Sequence, residues 1–384
     1  MHILIAVLHR STQPTGVCRH AANLARCLAS RQEVSRITLV TGAWQRGYFD
    51  VSFGITSCKI QVVGIDIRNS SIARNLWFIS ALPRLARELK PDIVHLAFPL
   101  PFVRSRFPCA VVSTVHDLYA FDYPENFGRA QAVFNRLFFK RCITQSDGLI
   151  CVSRETLGRL ENIFPAAAVR TRPRVIYNYV DFDEVRALPP AIFVEQPSRP
   201  FLLTVAQHRK NKNLDLLVAA YARLLNDQQI DHKMTLVIVG SDGPETEYLK
   251  ACIARSGLES RVYLLFSISD SELCWLYKHC ALFAICSSIE GFCIPLVEAL
   301  SIGCNIVCSD IPIFREVAVS DCRYFDLSGD ATSHVARAIG EALSSGKPVS
   351  TVNGRFDLAT AASQHVEFYR DVLSRGAGGL GVGI

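Results

Sequence analysis

Short apolar runs alternate with helix-patterned segments along nearly all of the 384 residues, and few folds tolerate that alternation. Residues 2–8 form the first run, with the profile of a strand buried on both faces. The loop 9–16 follows, punctuated by Pro14, Thr15 and Gly16. Residues 17–29 then place Ala21, Leu24, Ala25 and Leu28 on one helical face. Further strands are expected at 36–40, 59–63, 92–96, 110–115, 148–152 and 174–177, with helices at 72–89, 129–145 and 154–163. Strand–helix alternation with short links implies an α/β fold, a parallel sheet covered on both faces.

The chain is too long for one ordinary core, so two domains are expected. Residues 1–187 are read as the first and 188–200, with four prolines, as the linker. A second alternation opens at Phe201. Its strands are expected at 201–206, 234–239, 262–266, 281–286 and 305–308, and its helices at 214–225, 245–254, 270–279, 295–301 and 332–343. The second domain is read as 201–357, with a closing helix at 358–375 and a flexible Gly-rich tail at 376–384. Two doubly wound, Rossmann-like sheets facing each other would leave a cleft at the carboxyl ends of their strands, where such sheets bind ligands.

Composition narrows the function. No apolar run has the length of a membrane span, and residues 2–8 lack the basic start and cleavage site of a signal peptide, so a cytoplasmic location is expected. The 14 cysteines show no paired spacing of a zinc site, and most are read as reduced core residues. Residues 1–190 carry 24 Lys+Arg against 14 Asp+Glu, whereas residues 191–384 carry 17 against 21. The basic first half suits an acidic partner, a lipid phosphate or an anionic membrane surface; ordinary solubility charge accounts for it equally well. Nucleic acid is disfavoured, because no basic stripe is interleaved with aromatics.

The most informative stretch is Glu290-Gly291-Phe292-Cys293-Ile294-Pro295-Leu296-Val297-Glu298, lying between an expected strand and an expected helix. Pro295 suits the first turn of a helix. That puts Glu290 in the preceding loop and Glu298 on the first turn, with the N–H groups of 291–294 gathered at the positive helix end, a natural anion site. A diphosphate-linked sugar with one carboxylate on each of its sugars fits here; so does an acidic loop whose Glu298 merely favours the helix start. Four other strand-end loops accompany it. Gly16 opens the first helix, where it gives room to a phosphate or serves as a plain helix-start glycine; no G-x-G-x-x-G stands in that loop, against a dinucleotide enzyme. His116, before Asp117, is placed to reach a sugar hydroxyl or to be held structurally. Arg209, Lys210 and Lys212 bring cations to a strand end, where a departing diphosphate needs them, with Asn213 as an alternative helix cap. Gly240 permits close approach of a base or ribose, or is a simple turn. No carboxylate pair for magnesium–diphosphate binding is evident, so no metal and no cofactor are expected.

Together these residues resemble the retaining glycosyltransferases of family four, which have the two-domain GT-B fold. The resemblance spans nearly the whole chain. It is carried by the stretch from Ser288 to Leu300, with Gly16, His116-Asp117, Ser153, Asn178, Lys212-Asn213, Gly303, Ser309 and Glu316 in support. It implies transfer of a hexose from GDP-mannose or a UDP-hexose, with retention, to a glycan or lipid-linked saccharide in surface polysaccharide or glycolipid synthesis, on the inner face of the plasma membrane. It implies a closing helix that crosses back to the first domain. It also implies Glu298 on the ribose, Glu290 on the donor sugar, and the amides of Gly291, Phe292, Cys293 and Ile294 on the sugar or diphosphate. Arg209 and Lys212 would neutralise the diphosphate, Gly16 would leave it room, and His116 would sit at the reacting centre. The chain departs from the family pattern at Cys293, often Gly, at Asn305, often Pro, at Gln207, often the phosphate Arg, and at Thr15, commonly a second glycine. A non-catalytic sugar-nucleotide binder and a GT-B nucleotide-sugar epimerase are the competing readings.

Overall fold

Among the described residues, thirteen strands form two separate parallel sheets, seven in one and six in the other, in the computed structural model of the chain. It describes all residues except 13–14, 50–52, 54, 119–120, 122–128, 183–184, 196–197, 347–353 and 379–384, and the side chains of 129–132 and 376–378. The contacts divide it into Met1–Tyr179 with Phe356–Ile384, and Val180–Arg355.

The first unit runs β1 (His2–Ala6), α1 (Gly16–Ala29), β2 (Arg36–Gly42), β3 (Ile60–Ile65), α2 (Ser71–Leu76), α3 (Leu82–Leu89), β4 (Ile93–Leu96), β5 (Ala110–Val115), α4 (Arg129–Gln145), β6 (Gly148–Cys151), α5 (Arg154–Ile163), α6 (Pro165–Thr171) and β7 (Arg174–Val175). Its sheet order is β3-β2-β1-β4-β5-β6-β7, so the winding reverses between β1 and β4. The single helix expected over 72–89 is interrupted by a π-turn, Trp77–Ala81. Pro83 has no N–H for the regular ladder, and the wider turn absorbs the loss.

The last helix, α14 (Leu358–Gly378), belongs to this unit. It lays Val366, Phe368, Tyr369 and Val372 into one core with Ile3, Ile5 and the buried face of α1. Each such side chain contributes about 2 kcal/mol when fully buried. Gly148 in β6 makes room: a Cβ there would stand 2.7 Å from Val372 Cγ2 and 2.8 Å from Phe368 Cζ. Arg174 pairs with Asp371, and Arg375 donates to Thr171 O at 2.9 Å. The helix runs on through 376–378, which corrects the expected start of the flexible tail at 376; the rest of that tail, 379–384, lies outside the described residues.

The second unit runs α7 (Ala191–Val194), β8 (Phe201–Val205), α8 (Leu214–Asn226), β9 (Thr235–Val239), α9 (Thr246–Arg255), β10 (Val262–Leu265), α10 (Asp270–His279), β11 (Leu282–Ile285), α11 (Ile294–Ile302), β12 (Ile306–Ser309), α12 (Pro312–Ala318), β13 (Arg323–Phe325) and α13 (Ala331–Ser345). Its order is β10-β9-β8-β11-β12-β13, with the reversal between β8 and β11. The unit begins at Val180, before the proline-rich segment 188–200. Within that segment α7 puts Phe193 against Phe201 and Trp275, at ring centroid distances of 4.7 and 5.1 Å, so part of it is packed structure. Cys142, Cys151, Cys280, Cys286, Cys304 and Cys308 are all buried.

Candidate active site

In the second unit the reversal brings the loops after β8 and β11 side by side, the place where an open α/β sheet binds its ligand. Hydrogen bonds join the two loops. Ser288 N–H donates to Asn211 O at 2.9 Å, and Asn211 Nδ2 to Ile289 O at 3.2 Å. Asn213 stands at the cap position of α8, but its side chain donates to Cys286 O at 2.8 Å and does not cap the helix.

Across these loops Lys212 donates its ammonium to Glu290 Oε1. Ser287 Oγ donates to the same oxygen at 2.8 Å, and Ser309 Oγ in turn donates to Ser287 O. The side chains of Lys212 and Glu290 are only 18 % and 12 % exposed, so the pair is poorly screened by water. Burial alone would push the Lys212 ammonium toward its neutral form. The Glu290 carboxylate overrides it, and the group titrates above the ordinary lysine range. Arg209 is exposed and near enough to repel the Lys212 charge. With Lys210 it lines a recess of about 320 Å³ shared with Asp215, Glu245 and Tyr248.

Glu298 lies on the second turn of α11, not the first, so the helix-start role weighed for it is corrected. It is 3 % exposed, and Tyr277 of α10 donates to its Oε2 at 2.8 Å. Burial first, and then the Glu298 carboxylate, push the Tyr277 hydroxyl well above its usual range, so it remains a donor. Between the glutamates, Phe292 is buried and Cys293 starts the helix at φ 70°, ψ 76°. That left-handed backbone suits glycine, the physical reason why a glycine fits this position better than cysteine. Burial raises the Cys293 thiol well above its usual range.

Gly240 has a reason internal to the fold. A Cβ there would stand 1.9 Å from Ala206 O, and one on Gly243 would stand 2.1 Å from His208 O. The turn after β9 is thus pressed against the loop that carries Arg209 and Lys212. His208 is buried within it, with Nδ1 3.0 Å from Thr246 Oγ1.

His116 and Gly16 belong to the first unit. No described atom stands within 4 Å of a Cβ built on Gly16, so the start of α1 is open there. The neighbouring Thr15 caps α1 through Cys18 N–H. His116 Nε2 lies 2.8 Å from Ala97 O, and because a carbonyl only accepts, Nε2 carries the proton and Nδ1 the lone pair. Burial holds this imidazole below its usual range, so it is neutral near pH 7. His20 of α1 meets it edge-on at 4.6 Å and binds Asn178 Oδ1 at 2.6 Å. Ser153 caps α5, accepting Thr156 N–H at 3.0 Å.

Sequence reasoning missed Tyr277, His20 and Ser287, which hold the functional candidates in place. Asn178, the partner of His20, was in view through the family resemblance. The chain does hold one Asp-x-Asp, Asp181-Phe182-Asp183, which corrects the reading that no such carboxylate pair is evident. Asp183 lies outside the described residues.

Two doubly wound parallel sheets, with the closing helix returned to the first of them, are the architecture of the GT-B fold. Matches to two family profiles cover most of the chain: "Glycosyltransferase Family 4" over residues 14–184 and "Glycosyl transferases group 1" over residues 190–348. The chain belongs to this family, a group of retaining hexosyltransferases. Among curated relatives, O-antigen chain mannosyltransferase B of Escherichia coli is 24 % identical over 326 residues, 79 % of this chain and 81 % of that protein. GDP-mannose:cellobiosyl-diphosphopolyprenol alpha-mannosyltransferase of Xanthomonas campestris is 33 % identical over 162 residues, 41 % and 40 % of the two chains. Sucrose-phosphate synthase of Thermosynechococcus elongatus shares the fold at TM-score 0.75 and 16 % identity, over 97 % of this chain and 99 % of that one. Anabaena HepE, solved with UDP-glucose, does so at TM-score 0.66 and 19 % identity, over 97 % and 100 %. Among the described residues no helix is long and apolar enough to cross a membrane.

Proposed function

We propose that this chain moves a hexose from a nucleotide-diphosphate sugar to a glycan or lipid-linked saccharide in surface polysaccharide or glycolipid synthesis. The observation that carries the reading is the Lys212–Glu290 pair at the switch point of the second sheet. An anionic leaving group needs a fixed cation and a sugar needs a fixed acceptor of its hydroxyls; this pair supplies both on adjoining loops. GDP-mannose is the first candidate donor, in line with the names of the Escherichia coli and Xanthomonas relatives. A UDP-hexose is the second, in line with the UDP-glucose bound to HepE.

In this reading the bond from the sugar's anomeric carbon to the diphosphate breaks, and the acceptor oxygen bonds that carbon on the same face. The acceptor's proton passes to the departing phosphate oxygen. Lys212, with Arg209 beside it, stabilises the charge that grows on the diphosphate. Both hydrogen bonds to Glu290 fall on Oε1, which directs Oε2 to a sugar hydroxyl. Glu298, oriented by Tyr277, takes the ribose hydroxyls. The turn 291–294 at the start of α11 favours an anion. His116, with its lone pair fixed on Nδ1, accepts a hydrogen bond from a hydroxyl of the reacting sugar. No enzymic nucleophile is invoked, and no metal.

The test is a panel of GDP- and UDP-sugars, with nucleotide release followed with and without saccharide acceptors. Release from one donor and an acceptor product of retained configuration are expected. No turnover on any donor argues against transfer, binding without turnover favours a sugar-nucleotide binder, and an isomerised free donor favours an epimerase.

A further inference from the structure

Helix α4 (Arg129–Gln145) turns three of its apolar side chains away from the sheet it covers. Val133, Phe134 and Leu137 are 56 %, 58 % and 59 % exposed. At about 100° per residue they share one face with Lys140 and Arg141, which are also exposed. The opposite face is already used, with Cys142 and Ile143 fully buried. Scattered exposed apolar residues are ordinary, but three on one helical face beside cations form a patch that calls for a partner.

The charge pattern selects the partner. The 17 residues of α4 include Arg129, Arg136, Lys140 and Arg141 and no Asp or Glu. Arg170 of α6 adds a cation at the far end, donating to Thr144 O at 2.8 Å. Apolar side chains thus lead along the face and cations follow, spaced over about 10 Å of helix. A protein groove would bury the apolar part without needing an unbroken positive charge. A bilayer of anionic lipid satisfies both, taking the apolar side chains between its headgroups and the cations at its phosphates.

We propose that the outer face of α4, centred on Phe134, Leu137 and Lys140, docks on an anionic phospholipid surface. Such docking would bring the enzyme to a lipid-linked acceptor. It draws its purpose from the transfer reading, but its readout needs no substrate, so the two stand or fall separately.

The test is co-sedimentation of the full chain with vesicles of phosphatidylcholine alone and of an equal mixture with phosphatidylglycerol. Binding to the mixture and little to phosphatidylcholine alone is expected. Phe134→Ser/Leu137→Ser and Lys140→Glu/Arg141→Glu should each lower the partition coefficient about tenfold or more. Phe134, Leu137 and Lys140 are exposed, and Arg141 gives up its Nε bond to Phe102 O at 3.2 Å, so unchanged circular dichroism is expected to confirm folding. A Leu137→Trp variant gives an independent reading through blue-shifted emission, quenched by brominated lipid, on the mixed vesicles alone. Equal binding by all variants, or an unshifted emission from vesicle-bound Leu137→Trp, overturns the proposal. So does a wild-type dimer that Phe134→Ser/Leu137→Ser dissociates, because a second copy would then cover the face.

Discussion

Lys212, on the turn after β8, and Glu290, on the loop after β11, form an ion pair 78 residues apart in sequence, and that pair joins the two loops that meet at the switch point. Removing one member strands the other in a site shielded from water. Glu290→Gln and Lys212→Met should each lower stability by about 2 kcal/mol. The double variant should lose less than the sum, by about 1 kcal/mol or more. Urea unfolding of the four proteins measures this; additive losses would show that the pair does not act as a unit.

Tyr277 is the support of Glu298. Tyr277→Phe removes the hydroxyl that donates to Glu298 Oε2 and leaves that oxygen without this donor in a buried site. Loss of a hydrogen bond to a buried charged group costs about 2 kcal/mol. Thermal unfolding should show this, and calorimetric titration should show weaker nucleoside diphosphate binding in step. Wild-type affinity in a destabilised Tyr277→Phe would separate Glu298 from the nucleotide.

Cys293 occupies a left-handed backbone position. Cys293→Gly and Cys293→Ala both delete the thiol, but only glycine is at ease there, so the Gly variant should be the more stable by about 1 kcal/mol. Comparing the two cancels the shared loss of the side chain. The reverse order of Tm would show that the loop carries no such strain.

The first unit should lose stability in acid. His20, His95, His116 and His365 are held below the usual imidazole range, in each case mainly by burial, and His365 is pushed down to about 4. The unfolded chain binds protons to them below about pH 6.5 while the fold does not. Stability is therefore present above that pH and lost as pH falls below it; for His365 the loss continues toward pH 4, at about 1.4 kcal/mol per pH unit. Denaturant unfolding at pH 7.5 and 5.5 tests the sign, and His365→Gln should flatten the slope by one histidine's share. A flat profile would refute the linkage.

The alternation of apolar runs and helical faces made both sheets legible, because parallel strands buried on two faces leave near-continuous apolar runs. β13 escaped notice because Arg323–Phe325 is a three-residue edge strand with one charged residue. α7 was hidden among prolines that resemble a linker, since Phe193 gains its helical turn only by packing on Phe201 and Trp275. The carboxylates of the candidate site stood out by their spacing around Pro295. Their partners were not, because Lys212 reaches Glu290 and Tyr277 reaches Glu298 only through the winding of the sheet. Gly240 shows the converse: a glycine suited to a ligand is required by Ala206 O.

Transfer in this site depends most heavily on Lys212 as the cation for the departing diphosphate. Turnover of the active donor and Kd for the matching nucleoside monophosphate, measured side by side in wild type and Lys212→Ala, test it most directly. The expected result is a fall in kcat of about a hundredfold with a rise in Kd below about threefold, because the leaving charge grows only in the transition state. Equal losses in turnover and nucleotide affinity would contradict it.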